Sequence, residues 1–288
     1  MTTDTHSLQD SPFGTFRLPS WRQQVLNLGR MAPAGKPGLW TVSLLRKLAL
    51  VGVDSGGPFD VPLGSHLNAR LYPKDNRCEK RVLCGAQLWD LPERIALDEA
   101  LETSTRQPFV FFDVGANVGL YSLFVSQKAR ELGKAARCVA IEPSPGIRAR
   151  LQFNSDASDA GLEIEKVAVS DQFGTGNLGG GGTNLGSTSL WREDADGGEE
   201  VALEPLLAIV ERTGVPHIDA MKVDVEGEDE KVLKAYFRDA DKSLYPHMLI
   251  VETGDHFNNP IVDLAKAHGY KPFRSTKMNA VLTLPDQT

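Results

Sequence analysis

The stretch Phe109-Val110-Phe111-Phe112-Asp113-Val114-Gly115-Ala116-Asn117-Val118-Gly119, followed directly by Leu120-Tyr121-Ser122-Leu123-Phe124-Val125, decides the fold. Its first part is an apolar run of strand length ending at an acid, and a segment of helix length follows the second glycine. The Gly-x-x-x-Gly turn between them lets the backbone pass close to a ligand, because neither glycine has a β-carbon, and the helix N-terminus favours a negative group such as a carboxylate. A dinucleotide-binding turn would read Gly-x-Gly-x-x-Gly, with a middle glycine to admit the pyrophosphate. Asn117 stands in that place, which disfavours a nicotinamide dinucleotide. A ligand with an ammonium and a carboxylate but no pyrophosphate, S-adenosylmethionine, suits Asp113 and the amides around Gly115, Asn117 and Gly119. A plain strand-to-helix turn is the alternative reading.

Outward from this motif, apolar runs of strand length alternate with amphipathic segments of helix length, which predicts βα units and a parallel sheet. Strands are expected at 109–113, 137–142, 162–169, 218–223 and 248–252, helices at 120–132, 145–155, 205–213, 229–237 and 261–268, and a closing hairpin within 270–284. The predicted class is α/β: a Rossmann-like, mostly parallel seven-stranded sheet with helices on both faces. Residues 106–288 form the cofactor-binding domain in this reading, and 58–105 hold a small antiparallel strand pair and a helix at 91–103. Residues 1–57, rich in Pro and Gly with one helix-like patch at 40–50, read as a loosely ordered extension or lid. The glycine-rich segment 173–189, with four consecutive glycines at 179–182, reads as a mobile loop, either a surface linker or a flap closing over a ligand.

Further acids fall at predicted strand ends. Glu142, in Ile141-Glu142-Pro143-Ser144, follows Gly119 at about the spacing of the acid that accepts ribose hydroxyls in nucleotide-binding α/β folds. Ser170 and Asp171 follow the third strand, where adenine would lie. Met221-Lys222-Val223-Asp224-Val225-Glu226-Gly227-Glu228 ends the fourth strand beside the first, at the sheet edge where open α/β folds bind substrate. Carboxylates there suit proton acceptance or an amine of the cofactor, although Glu226 and Glu228 also suit a helix N-terminus. Asp224 and Glu252 are thus candidate bases or acceptor-orienting groups, and His256, with an unperturbed pKa near neutrality, is a third. Asp224 and Glu252 would also suit a divalent cation, although no metal is assigned.

Composition bounds the rest. Hydrophobic residues make up 41% and charged residues 24%, as in an ordinary globular protein. With 31 basic and 38 acidic side chains the net charge is −7, and no dense basic stripe argues for nucleic acid. Cys78, Cys84 and Cys138 form neither a disulfide pattern nor a zinc spacing, which fits a reducing, cytoplasmic setting. The apolar stretch 39–53 is interrupted by Arg46-Lys47 and is too short for a membrane span, and no secretion pattern opens the sequence.

Taken together, Asp113 through Gly119, Ile141-Glu142-Pro143, Ala168-Val169-Ser170-Asp171, Asn184 through Leu190, Lys222-Val-Asp-Val-Glu-Gly227 and Val251-Glu252 resemble the FkbM-type methyltransferases from about Phe59 onward, including Val61-Pro62-Leu63-Gly64. The resemblance implies a class I methyltransferase fold, S-adenosylmethionine as cofactor, and O-methylation of a hydroxyl on a small molecule or sugar. Glu204-Pro205-Leu206-Leu207 departs from the family where an aspartate is common, and the N-terminal extension is unusual. An N-methyltransferase and a cofactor-binding module without turnover are the alternatives. Acceptor identity and oligomeric state are not written in the sequence.

Overall fold

The computed structural model describes residues 8–53, 57–179, 190–191, 199–254, 259–276 and 278–285. Its centre is β3 (Phe109–Val114), buried at every residue. Seven strands form one sheet. On one side of β3 lie β4 (Ala136–Ile141) and β5 (Glu163–Glu165), and on the other β10 (Ala220–Val223) and β11 (Met248–Glu252). The hairpin of β12 (Lys271–Ser275) and β13 (Asn279–Thr283) closes the edge, with β13 inserted next to β11. Only β13 runs against the others. This is the predicted mostly parallel seven-stranded sheet.

Alternation along β3 sorts the core into two layers. Phe109 and Phe111 join one apolar cluster, while Val110, Phe112 and Val114 join the other. The first is covered by α4 (Leu91–Thr103), α5 (Leu120–Glu131) and α6 (Pro145–Ala157), the second by α7 (Leu206–Thr213), α8 (Asp229–Asp239) and α9 (Pro260–Ala267). A strand covered on both faces reads as an unbroken apolar run. That places Asp113 on the α5 face, and the register sets it opposite Lys222 of β10.

Two regions differ from the sequence reading. The run at 162–169 is two strands, because β5 pairs with β4 while β6 (Ala168–Ser170) turns away to pair with β9 (Glu199–Pro205). Leu162-Glu163-Ile164-Glu165-Lys166-Val167-Ala168-Val169 holds no turn residue that would mark a change of sheet. The segment expected as a loop from residue 173 begins with β7 (Gly174–Leu178), held antiparallel to β9 through a register from Gly174–Leu203 to Leu178–Glu199. The short β8 (Leu190–Trp191) pairs with the other edge of β7. Residues 180–189, the rest of that loop, lie outside the described residues.

The N-terminal part holds more helix than the pattern predicts. Besides α2 (Lys36–Ala49), α1 (Ser20–Arg30) and α3 (Arg77–Gly85) form, with Leu26, Val42, Ala49 and Val82 buried in the α5-side cluster. The strand pair β1 (Phe59–Pro62) and β2 (Asn68–Leu71) stands as predicted. No described helix is long and apolar enough to cross a membrane.

Candidate active site

Chain direction reverses at β3. The path runs outward through β4 and β5, then returns to β10 on the opposite side. Such a switch opens a crevice beyond the strand ends, and a cavity of about 710 Å³ occupies it. Its walls come from the turn after β3, the end of β4, the ends of β10 and β11, β6, and the N-terminal helices α2 and α3.

The turn after β3 is a closed hydrogen-bond system. The N–H groups of Gly115 and Ala116 both donate to the Ile141 carbonyl, at 3.1 and 2.9 Å, and Gly119 N donates to the Ala116 carbonyl at 2.9 Å. Asn117 N donates to Glu142 Oε2 at 3.0 Å and Val118 N to Asn117 Oδ1 at 2.8 Å. All five amides are spent inside the protein, so they do not await a cofactor carboxylate as the sequence suggested. Gly115 (φ +77°), Asn117 (φ 53°) and Gly119 (φ +81°) are left-handed. A β-carbon on Gly115 would stand 1.9 Å from the Asp224 carbonyl oxygen, and one on Gly119 would press on Leu151 at 3.2 Å. Chain packing thus requires the glycine at 115, and Gly115 and Asn117 both line the cavity.

Glu142 accepts Asn117 N through Oε2 and Ser144 N, at 2.9 Å, through Oε1. Burial pushes it up to about 7 despite these two amides and the charge of Arg148. Each oxygen has a further lone pair beyond the one it uses here, and Glu142 lines the cavity. Beside it Ile141, Pro143, Ile147, Val167, Val169 and Leu178 make an apolar wall.

At the other end, Asp224 Oδ2 accepts from Lys222 Nζ at 2.9 Å. Burial pushes Asp224 up, but the charge and hydrogen bond of Lys222 and a hydrogen bond with Glu252 together hold it below the usual carboxylate range. Glu252 moves the other way, up to about 7, through burial and then the charge of Asp224. Burial alone would lower Lys222, yet Asp224 and Asp113 hold its pKa above the ordinary value.

The remaining candidates fall elsewhere. Asp113 is not among the residues lining the cavity: its Oδ2 accepts from Ser122 N (3.2 Å) and Ser122 Oγ (2.8 Å) at the start of α5, and burial raises its pKa. The alternation that makes β3 a two-sided core strand turns this carboxylate onto the α5 face, where it flanks Lys222. Ser170 and Asp171 also stay outside the lining. Ser170 Oγ donates to Asp171 Oδ1 at 3.3 Å, and Asp171 pairs with Lys231 of α8 at 3.0 Å. Val167, Ala168 and Val169 just before them line the cavity instead. His256 lies outside the described residues.

Sequence reasoning missed the wall opposite the sheet. Asn76 caps α3 by accepting from Cys78 N and Glu79 N, and its Nδ2 donates to Asn117 Oδ1 at 2.7 Å. The Asn76-Arg77-Cys78-Glu79 spacing is a helix-start signature that could have marked it. Tyr121 donates to Asp90 Oδ2 at 3.1 Å, packs edge-on against Trp89, and carries Lys222 Nζ 5.2 Å above its ring. Four cations, Arg46, Arg77, Lys80 and Arg81, also line the cavity. Among the described residues no group of three or more His, Cys, Asp or Glu is placed to hold a metal ion.

A parallel sheet with one reversed strand, a crevice at its switch point and an acid at the end of β4 define a class I methyltransferase. The Methyltransferase FkbM domain family matches residues 113–272, more than half of the chain, and the chain belongs to that family. The 31-O-demethyl-FK506 methyltransferase FkbM of Streptomyces tacrolimicus is 26% identical over 190 residues, covering 56% of this chain and 72% of that protein. The hexuronic acid methyltransferase AglP of Haloferax volcanii is 28% identical over 141 residues, 49% of this chain and 53% of that one, so the chain spans about half of AglP's length. Among solved structures, the METTL16 MTase domain covers 85% of this chain and 79% of that one with a TM-score of 0.47 at 12% identity.

The protein is a methyltransferase and its cofactor is S-adenosylmethionine. The residues present fit that group. Glu142 offers two acceptor oxygens next to an apolar wall, the pattern a nucleoside needs, and Asp224, held ionised beside Lys222, offers an acid for an ammonium.

Proposed function

We propose that this enzyme methylates a hydroxyl on a small molecule or sugar, and that its acceptor carries a carboxylate or another anionic group. The observation that carries the reading is the cavity's two-sided chemistry: Glu252, raised to about 7, at the sheet end, and four cations on the wall facing it. The hexuronic acid named for AglP is an acceptor of this type.

When bound, S-adenosylmethionine supplies an electrophilic methyl group on a sulfonium. Glu142 would accept the ribose hydroxyls, the wall of Ile141, Pro143, Ile147 and Val169 would cover adenine, and Asp224 would face the amino-acid end. Glu252 acts as the general base in this reading, taking the proton of the acceptor hydroxyl as it is methylated. A base with a pKa near the working pH is efficient at that task. Asp224 stays ionised beside Lys222 and sustains the raised pKa of Glu252 by like-charge repulsion. Arg46, Arg77, Lys80 and Arg81 would orient the anionic acceptor, whose position decides the rate. Residues 106–288 hold the cofactor, and the segments 58–105 and 1–57 contribute the acceptor wall and a lid.

The test is incubation with S-adenosylmethionine and matched sugar acids and neutral sugars, read by mass spectrometry as gain of one methylene. Methylated acids with little product from the neutral partners are expected. Product on amines alone, or no preference for the acids, overturns the reading.

A further inference from the structure

Residues 11–53 carry six basic side chains, Arg17, Arg22, Arg30, Lys36, Arg46 and Lys47, and no acid, within a chain of net charge −7. The same segment concentrates exposed apolar surface. Of the thirteen large apolar side chains exposed among the described residues, eight lie between Trp21 and Val51. On α2, Trp40, Leu44 and Leu48 recur every four residues on the outer face, exposed by 80%, 68% and 48%, while Gly38, Val42 and Ala49 face the core. On α1, Trp21 and Leu28 face outward, as does Met31 at its C-cap, and Leu26 and Gly29 face inward. A helix apolar on both faces has a second surface to bury. Exposed Lys36 and Lys47 flank the α2 stripe, and the Arg22 guanidinium lies 4.6 Å from the Trp21 ring centroid.

We propose that α1 and α2 dock this enzyme onto an anionic lipid surface, lying in the plane of the headgroups. Tryptophan and leucine on one face with lysine and arginine beside them is the chemistry of an interfacial helix. At 14 residues α2 is too short to span a bilayer. The charge argues for lipid over a second copy of the chain, since a two-fold contact through this face would set cation against cation. Arg46 of α2 lines the cavity, so docking brings the cavity close to the surface. The docking itself does not depend on which acceptor the cavity takes.

Flotation of the full chain with phosphatidylcholine vesicles, with and without phosphatidylglycerol, tests this. The protein is expected to float with the anionic vesicles and not with phosphatidylcholine alone, and its tryptophan emission is expected to shift to the blue. The variant Trp40→Ser/Leu44→Ser/Leu48→Ser should lose at least about ten-fold in vesicle affinity. Lys36→Gln and Lys47→Gln, at exposed positions that leave the core intact, should each lose about five-fold. Circular dichroism and binding of S-adenosylhomocysteine verify that each variant is folded. If the triple variant does not fold, the two lysine variants decide. Absence of flotation with either vesicle, anionic-vesicle affinity unchanged in the folded variants, or a dimer dispersed by the same substitutions without any vesicle binding overturns the proposal.

Discussion

The main-chain N–H of Asn117 donates to Oε2 of Glu142 at 3.0 Å, which ties the turn after β3 to the acid at the end of β4. Asn76 extends the link, because its Nδ2 donates to Asn117 Oδ1 at 2.7 Å and its own side chain caps α3. One small polar chain therefore joins the β4 end of the cavity to the wall built by α3.

Glu142→Gln should weaken S-adenosylhomocysteine binding by about 10–100-fold, since a neutral amide accepts with one oxygen only and is a weaker partner for hydroxyl donors than a charged carboxylate. Burial holds Glu142 up at about 7, so only about a tenth of it is ionised at pH 6 and about nine-tenths at pH 8. Wild-type affinity should thus rise several-fold between these pH values, and the Gln variant should lose that slope. Calorimetry at several pH values checks both; a parallel slope in the variant would show that another group carries it.

Folding stability has its own pH signature. Glu79, Glu142 and Glu252 each rise from 4.5 to about 7, first through burial. The folded state holds these protons more tightly than the unfolded chain, so their contribution is full below about pH 4.5 and is lost as pH rises through about 7. The cofactor-free protein should show a higher urea midpoint at pH 5 than at pH 8. Glu79→Gln should flatten part of that difference.

Gly115→Ala should destabilise the fold for two separable reasons. Left-handed backbone at a non-glycine residue costs about 1–2 kcal/mol, and the new β-carbon would meet the Asp224 carbonyl oxygen at 1.9 Å. Gly133 provides the comparison: φ is +64°, and a β-carbon there would meet nothing within 4 Å. Gly133→Ala should therefore lose only the backbone component, and Gly115→Ala clearly more, in urea denaturation. Equal losses would remove the steric argument.

The central sheet was legible because a strand buried on both faces is written as an unbroken apolar run, as in Phe109 to Phe112, and because Gly115 and Gly119 mark the turn that separates it from a helix. Glu142 was legible by its spacing from the turn. Asp113 was misplaced because the residue after Phe112 falls on the α5 face, a matter of alternation within a run whose apolar character hides it. The change of sheet at Lys166 left no pattern, since partner choice is a long-range property. The wall opposite the sheet was illegible for the same reason: Asn76, Asp90 and Tyr121 meet only once α3, α4 and α5 pack together.

If Glu252 takes the acceptor proton, kcat should rise about ten-fold per pH unit below its pKa of about 7 and level off above it. Glu252→Gln should lower kcat by about 10²–10⁴-fold and remove the break. Asp224→Asn tests the coupling between the pair. Losing the neighbouring negative charge lowers the pKa of Glu252, so the break should move to lower pH while kcat falls. A break that stays in place after Asp224→Asn would separate the two acids.

Arg70 holds the N-terminal segment to the strand pair, and its loss should be the most damaging of these changes. Both Arg70 and its partner Asp60 are wholly buried, joined at 2.7 Å through Nε and at 3.1 Å through a terminal nitrogen. The guanidinium also donates to the carbonyls of Leu8 and Pro12 and lies 3.8 Å from the Phe153 ring centroid. Asp60 in turn accepts from the amides of Gly14 and Phe16. Arg70→Met would strand a buried carboxylate and two carbonyls, a cost of about 3–5 kcal/mol. Replacing the acid as well, in Asp60→Asn/Arg70→Met, removes the unpaired charge and should recover part of that loss. Urea midpoints give the energies, and limited proteolysis should cut Arg70→Met before residue 17 faster than the wild type. Equal stability in Arg70→Met and wild type would mean that water or a rearranged segment satisfies Asp60.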